Sequence, residues 1–351
     1  MSLDVTGRYR YPPPDPAWLG LSEEEVLEPD LPIIDAHHHL WDEGGSLYLL
    51  DEYAADLTSG HRIVATVFAQ AHYGYWQDGP EAFRPVGETE RVAAIAAEAQ
   101  QCGLCTRVAA GIVAHADLRL GQALDPVLAA HDEAARGALR GIRHSTARDP
   151  HFPDGIVIRP AAAGLLGDSG YRAGLHTLAR NGLSYDAMLY HSQLGELIDM
   201  ARDIPELPII LDHYGGLLGV GPYRGREQET FAAWRTDMVE LAKCPNVVVK
   251  LGGLGMIICG PTWHERPVPP SSAELATAWR PYVETCVELF GAARCMFESN
   301  FPVDKAMYSY RTLWNAFKRL TAGASKGERA ALFAGTAAAT YRLPDDILPR
   351  G

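Results

Sequence analysis

Short apolar runs alternate with alanine-rich stretches along this chain, and that rhythm constrains the fold more than any single motif. The runs are Pro32–His39, Arg62–Ala71, Arg107–Asp117, Leu139–His144, Leu183–Tyr190, Pro208–His213, Val247–Gly252 and Cys295–Asn300. Segments such as Ile209-Ile210-Leu211 and Val247-Val248-Val249 are apolar on successive residues, which suits parallel strands covered on both faces. Helices are expected over Glu88–Gln101, Asp125–Ala135, Tyr171–Asn181, Gln193–Asp203, Arg226–Cys244, Ser272–Phe290 and Lys305–Ala322, with a last one over Lys326–Tyr341. Gly103, Gly137 and Gly182 follow helices, where a left-handed cap suits glycine. Strand and helix alternating eight times predict an α/β protein, a (β/α)8 TIM barrel, since a doubly wound sheet usually has fewer strands. Residues 1–31, rich in Pro and acidic residues, are expected to form an arm that wraps the domain or a neighbouring subunit. Residues 32–351 then form a single barrel domain.

Composition narrows the partners. The formal net charge is −13, so no basic stripe awaits a phosphate backbone and nucleic acid is excluded as a partner. No apolar run is long enough to span a bilayer, and no signal peptide is visible at Met1-Ser2-Leu3-Asp4. The expectation is a cytoplasmic enzyme with a small-molecule substrate and no membrane partner, and the arm leaves room for a homo-oligomer. Cys102-Gly103-Leu104-Cys105 is a single CxxC, weak evidence for zinc or redox chemistry, and the six cysteines read as ordinary thiols. The glycine-rich segments at 215–221 and 252–255 match neither GxGxxG leading into a helix nor GxxxxGK[ST]. They read as close-packed strand-to-helix loops.

A barrel of this kind carries its active site at the C-terminal ends of its strands. Those ends carry His37, His39, Gln70, His72, His115, Asp117, Arg143, His144, Tyr190, His191, Asp212, His213, Lys250, Glu298, Asn300 and Asp304. They include seven of the 13 histidines, a concentration that chance placement would not give. His37 and His39 are two apart on a strand, so both point to one face and can reach one divalent ion. His38 points the other way and reads as a packed histidine.

At this point the sequence resembles a family. Asp35-x-His37-x-His39, Gly141-Ile142-Arg143-His144, Leu211-Asp212-His213-Tyr214-Gly215-Gly216, Val249-Lys250-Leu251-Gly252-Gly253 and Glu298-Ser299-Asn300-Phe301-Pro302 together resemble the amidohydrolase superfamily. The likeness is to the branch holding 2-pyrone-4,6-dicarboxylate and sugar-acid lactonases and, further off, metal-dependent decarboxylases. It runs from about Pro32 to Tyr341. The resemblance implies that His37 and His39 bind one divalent metal ion, zinc first, or polarise the substrate carbonyl directly, as in metal-independent members. It gives His213 the part of a base or carbonyl-polarising group. Arg143 and Lys250 would hold a substrate carboxylate, unless Arg143 serves a structural ion pair or Lys250 pairs with Glu298. His72, His144, Tyr190 and His191 would complete the substrate site.

Strand 8 departs from the family. Relatives carry an aspartate that activates water where this chain has Asn300, and an amide cannot accept a proton at neutral pH. Glu298, Asp304 or His213 is left to serve as base. A hydrolase of a lactone or related cyclic ester or amide is the leading expectation. A metal-dependent non-oxidative decarboxylase and a non-catalytic binding protein are the rivals.

Overall fold

The computed structural model describes residues 11–43, 46–158 and 160–348. Eight parallel strands form one sheet in sequential order: β1 Ile33–His38, β2 Ile63–Ala69, β3 Arg107–Ala114, β4 Leu139–Ile142, β5 Ser184–Ala187, β6 Ile209–Leu211, β7 Val247–Leu251 and β8 Cys295–Phe297. The seam between β1 and β8 closes just past the strand ends. The Asn300 amide donates to His37 O at 2.9 Å and the His39 amide to Phe301 O at 2.8 Å. The chain is thus a (β/α)8 barrel, with helices between the strands as the alternation predicts.

Asp35 locks that seam from within. Its Oδ1 accepts from the Ser299 amide at 2.8 Å, and its Oδ2 from the Tyr53 and Tyr310 hydroxyls at 3.0 and 2.9 Å. One fully buried carboxylate therefore ties together the first strand, the last strand and two outer helices. His38, facing outward from the same strand, bonds Thr66 Oγ1 at 2.9 Å and stacks on Tyr53.

The barrel interior is layered. At its N-terminal end Ile34, Ala36, Val67, Val113, Ile210 and Met296 pack against Tyr341, Leu343 and Ile347, so the C-terminal segment plugs the bottom. Above the plug the interior turns ionic, and above that it opens as a cavity.

Several boundaries differ from the sequence reading. The helix expected from Lys305 begins at Tyr310, capped by Ser309, whose side chain accepts from the Thr312 amide. Asp304 is tied to the barrel mouth instead, so residues 302–308 form turns. The last helix is interrupted by a widened π turn over Ala331–Gly335. Strands β6 and β8 stop short of His213 and Asn300, because both residues are left-handed, at φ 53° and 56°. The described part of the arm lies on its own barrel: Trp18 Nε1 donates to Arg266 O at 2.8 Å, and Lys318 Nζ donates to the Leu27 and Glu28 carbonyls. The arm's first ten residues lie outside the described residues.

Removing Asp35 strands two tyrosine hydroxyls and a backbone N–H in the barrel wall. Asp35→Ala should cost about 3 kcal/mol. Urea denaturation followed by circular dichroism checks this, and a variant within about 0.5 kcal/mol of wild type would mean the seam does not depend on Asp35.

Candidate active site

The ionic layer is centred on Lys250. Its ammonium is fully buried and donates to Asp186 Oδ2 at 2.7 Å and Asp212 Oδ1 at 2.9 Å, and it lies 3.0 Å from His37 Nδ1. The Tyr341 hydroxyl, rising from the plug, donates to Asp186 at 2.6 Å. Burial works against the lysine charge, but the two aspartates overcome it and hold its pKa above the ordinary value. Burial likewise opposes ionisation of Asp212, and Lys250 with His37 overcomes it, so this carboxylate stays charged. Lys250 therefore supports the site from beneath and does not reach the cavity.

His37 and His39 stand on that support with their Nε2 atoms 3.1 Å apart. His39 Nδ1 lies 2.7 Å from Ala69 O, which can only accept, so Nδ1 carries the proton and Nε2 a lone pair. His37 Nδ1 lies 3.0 Å from Lys250 Nζ, a donor, and 3.2 and 3.6 Å from Glu298 Oε2 and Asp212 Oδ1, both acceptors, so its surroundings serve either tautomer. Burial, and then the nearby Lys250 and Arg143 charges respectively, hold the pKa values of His37 and His39 well below the ordinary value. Two imidazole nitrogens so close in a buried site are placed to hold one cation between them. That donor set fits one divalent ion, with Zn–N distances near roughly 2.1 Å. His37, Asp212 and His213 also bring ligand atoms within 4.8 Å of one another. Arg143 supplies part of the positive charge: its Nη1 is 3.2 Å from His37 Nε2 and 3.4 Å from Asp212, and its Nη2 donates to Gln70 O.

The third piece is a buried dyad. His213 Nδ1 and Glu298 Oε1 are 2.7 Å apart. Burial is the largest influence on His213 and lowers its pKa, but Glu298 and Asp212 together raise it above the ordinary value. The two residues come from β6 and β8, which are not neighbours. They meet because the intervening β7 ends in Gly252 and Gly253. A Cβ at Gly252 would lie 2.3 Å from Glu298 Cγ, and one at Gly253 would lie 2.7 Å from His213 Nδ1. With Nδ1 committed, His213 presents Nε2 to the cavity.

Asn300 lies where the family aspartate is expected. Its Nδ2 donates to Asp304 Oδ1 at 2.9 Å, which leaves its carbonyl oxygen for the cavity. Asp304 is fully buried and also accepts from the Gly255 amide at 3.0 Å and the Tyr308 hydroxyl at 2.5 Å. Burial pushes its pKa from 3.8 to about 7 against those bonds. Asp304 thus orients Asn300 and does not itself line the cavity.

The cavity above has a volume of about 930 Å³. His39, His213, Arg143 and Asn300 form its floor, and His72, His115 and His144 form one wall. Tyr11 from the arm and Trp41 from the ribbon after β1 also line it. Of the residues singled out from the sequence, Tyr190 and His191 lie behind this wall. Tyr190 packs with Ala147, Leu218 and Met256, while His191 accepts from the Leu218 amide at 3.3 Å. Tyr11 and Trp41 were missed by the sequence reading, since neither sits at a strand end. His115 carried the strand-end signal but was given no role.

The barrel gathers its inward-facing histidines at one mouth, as an enzyme of this fold would. The chain belongs to the amidohydrolase family, whose model matches residues 34–343. It is 34% identical over 339 residues to the "uncharacterized protein y4mH" of Sinorhizobium fredii, covering 90% of this chain and 99% of that one. It is 29% identical over 242 residues to an L-fucono-1,5-lactonase of Burkholderia multivorans, covering 67% of this chain and 72% of the relative. A zinc-bound amidohydrolase of Burkholderia multivorans shares the fold at a TM-score of 0.68 and 24% identity, covering 89% of this chain and 99% of that one. Among the described residues no helix is long and apolar enough to cross a membrane.

Asp304 makes a pH-dependent contribution to stability. Its folded pKa lies above its unfolded value, so its contribution is complete below about pH 4 and lost as the pH rises through about 7. At about 1.4 kcal/mol per pKa unit this amounts to about 4 kcal/mol. Asp304→Asn should therefore close on wild type in stability as the pH rises from about 4 to about 8. Denaturation midpoints across that range check it, and a gap independent of pH would show that the carboxyl does not titrate there.

Proposed function

We propose that this enzyme hydrolyses the ring ester of a lactone derived from a small carboxylated or sugar-acid compound. The observation that carries the reading is the His213–Glu298 dyad, 2.7 Å apart, with the free imidazole nitrogen on the cavity beside Asn300. It supplies a base where the family aspartate is missing. The lactonase relative of Burkholderia multivorans supports the substrate class.

In this mechanism water attacks the lactone carbonyl carbon while His213 Nε2 takes its proton. Glu298 stabilises the imidazolium, as a buried carboxylate does in other histidine-based hydrolases. The carbonyl oxygen gains negative charge, which the Arg143 guanidinium meets. The tetrahedral intermediate collapses, the ring C–O bond breaks, and the imidazolium returns its proton to the leaving alkoxide. The product is an open-chain hydroxy acid. Held on His37 and His39, a divalent ion, with zinc the first candidate, would supply Lewis-acid polarisation of the carbonyl. Asn300 orients the water through its carbonyl oxygen, and the Trp41 ring offers a flat face to the apolar side of the substrate. A decarboxylase would not need the dyad as a base, and carbon dioxide release from candidate acids would identify one.

The base must be neutral to act, so kcat/KM on a lactone should rise with pH through a pKa above about 6.5, the ordinary histidine value. Glu298→Gln should lower kcat/KM by about 10²–10³ and move that limb to lower pH, because the raising carboxylate is gone. Wild-type turnover retained in His213→Asn would sink the reading. Elemental analysis of wild type and of the His37→Ala/His39→Ala double variant, purified without chelator, should show about one divalent ion per chain in the first and none in the second.

A further inference from the structure

The wall of the cavity has a hydrogen-bonding sense that can be read from its partners. His115 Nδ1 lies 3.0 Å from Arg143 O. A carbonyl only accepts, so Nδ1 carries the proton and His115 Nε2 is an acceptor. His144 Nδ1 lies 3.1 Å from the Leu118 amide, which only donates, so here the proton sits on Nε2. His72 Nδ1 is 2.9 Å from the Tyr75 hydroxyl, which serves either tautomer. The rings run in series, with centroids 5.1 Å apart for His72 and His115 and 5.2 Å apart for His115 and His144. Each ring has its Nδ1 committed to the protein and lines the cavity, which leaves Nε2 as its free nitrogen.

We propose that His115 and His144 are specificity-determining residues: a fixed acceptor beside a fixed donor, reading the ring hydroxyls of an uncharged lactone face, with His72 as an adaptable third position. This rests on the lactonase reading of the same site.

A hydroxyl both donates and accepts, so it satisfies His115 Nε2 and His144 Nε2–H at once. A carboxylate only accepts, and it would set its charge against the His115 lone pair. A buried polar group left unpaired is what makes such a site reject the wrong analogue. Burial keeps the wall uncharged: the pKa values of His72 and His144 fall to about 4, and that of His115 is also lowered. The cation on the cavity floor, Arg143, is already turned toward Asp212, His37 and Gln70 O. In the mechanism above Arg143 faces the reacting carbonyl from the floor, so polar recognition of the ring at the wall is by neutral hydrogen bonds. Among the described residues these three rings do not form a metal-ligating group, and the His144 tautomer points a proton, not a lone pair, into the cavity.

The test separates binding from turnover. Calorimetry with non-hydrolysable δ-lactams compares a polyhydroxylated ring, the same ring lacking one hydroxyl, and a carboxylated ring without hydroxyls. Wild type should bind the polyhydroxylated lactam at least about 10-fold more tightly than either of the others. His115→Ala and His144→Ala should lose that preference while keeping the weak affinity for the deoxy ring. An equal loss toward all three lactams, or tighter wild-type binding of the carboxylated ring, overturns the proposal. Hydrolysis of unsubstituted δ-valerolactone, followed in parallel, reports on the lactonase reading alone. Wild type that leaves δ-valerolactone intact would sink the lactonase reading, whereas the binding preference among the lactams decides the role of the wall.

Discussion

A lysine with no exposed surface, shared between two aspartates, sets the height at which this barrel stops being a core and becomes a site. Desolvating an ammonium costs several kcal/mol, and Lys250 recovers that only because Asp186 and Asp212 both lie within 3 Å of Nζ. The arrangement is rigid for the same reason, since any displacement leaves a charge unpaired in low dielectric. His37 rests on this layer, and Asp212 extends it to Arg143. A hydrophobic filling of the same volume could be as stable. It would leave His37 without a fixed ring plane.

The mouth of the barrel is built from conformations that side chains usually avoid. His72, His213, Tyr214 and Asn300 are all left-handed, at φ 53–63°. Each costs roughly 1–2 kcal/mol relative to an ordinary conformation. All four lie where a strand has just ended, and the sharp turn is what throws a side chain of a parallel strand across the mouth. The stability for this comes from below, from the seam held by Asp35 and the plug formed by Tyr341, Leu343 and Ile347.

Much of this was legible in the sequence, for identifiable reasons. The alternation of runs such as Val247-Val248-Val249 with alanine-rich stretches reports burial on both faces, and burial is what the barrel imposes on its strands. The parity of His37 and His39 follows from strand geometry alone, as does the outward turn of His38. Depth was not legible. Lys250 and His39 both sit near strand ends, yet one is sealed below the cavity and the other forms its floor. Tyr190 and His191 follow β5 but turn behind the wall, because residues after a strand are placed by the loop and not by the strand period. Tyr11 reaches the cavity from an arm whose prolines carry no periodicity at all. The Gly252-Gly253 pair, read from the sequence as close packing, was the one available clue to the dyad. Glycines at the end of β7 open the gap through which β6 and β8 side chains can meet.

The amide at position 300 is best understood together with the carboxylate at 304. An aspartate at 300 would face Asp304 Oδ1 at the distance now spanned by a hydrogen bond of 2.9 Å. Two carboxylates so close in a buried place cannot both ionise, so one would hold a proton at neutral pH. Asn300 removes that conflict by donating to Asp304, and its carbonyl oxygen is left on the cavity side. In the proposed mechanism Asn300 therefore orients a water but cannot deprotonate it. Proton transfer in that mechanism falls to the end of β6, two strands away, where His213 already has a carboxylate behind it. The change at one position of strand 8 and the dyad between β6 and β8 are thus two halves of one redistribution of charge around the mouth of the barrel.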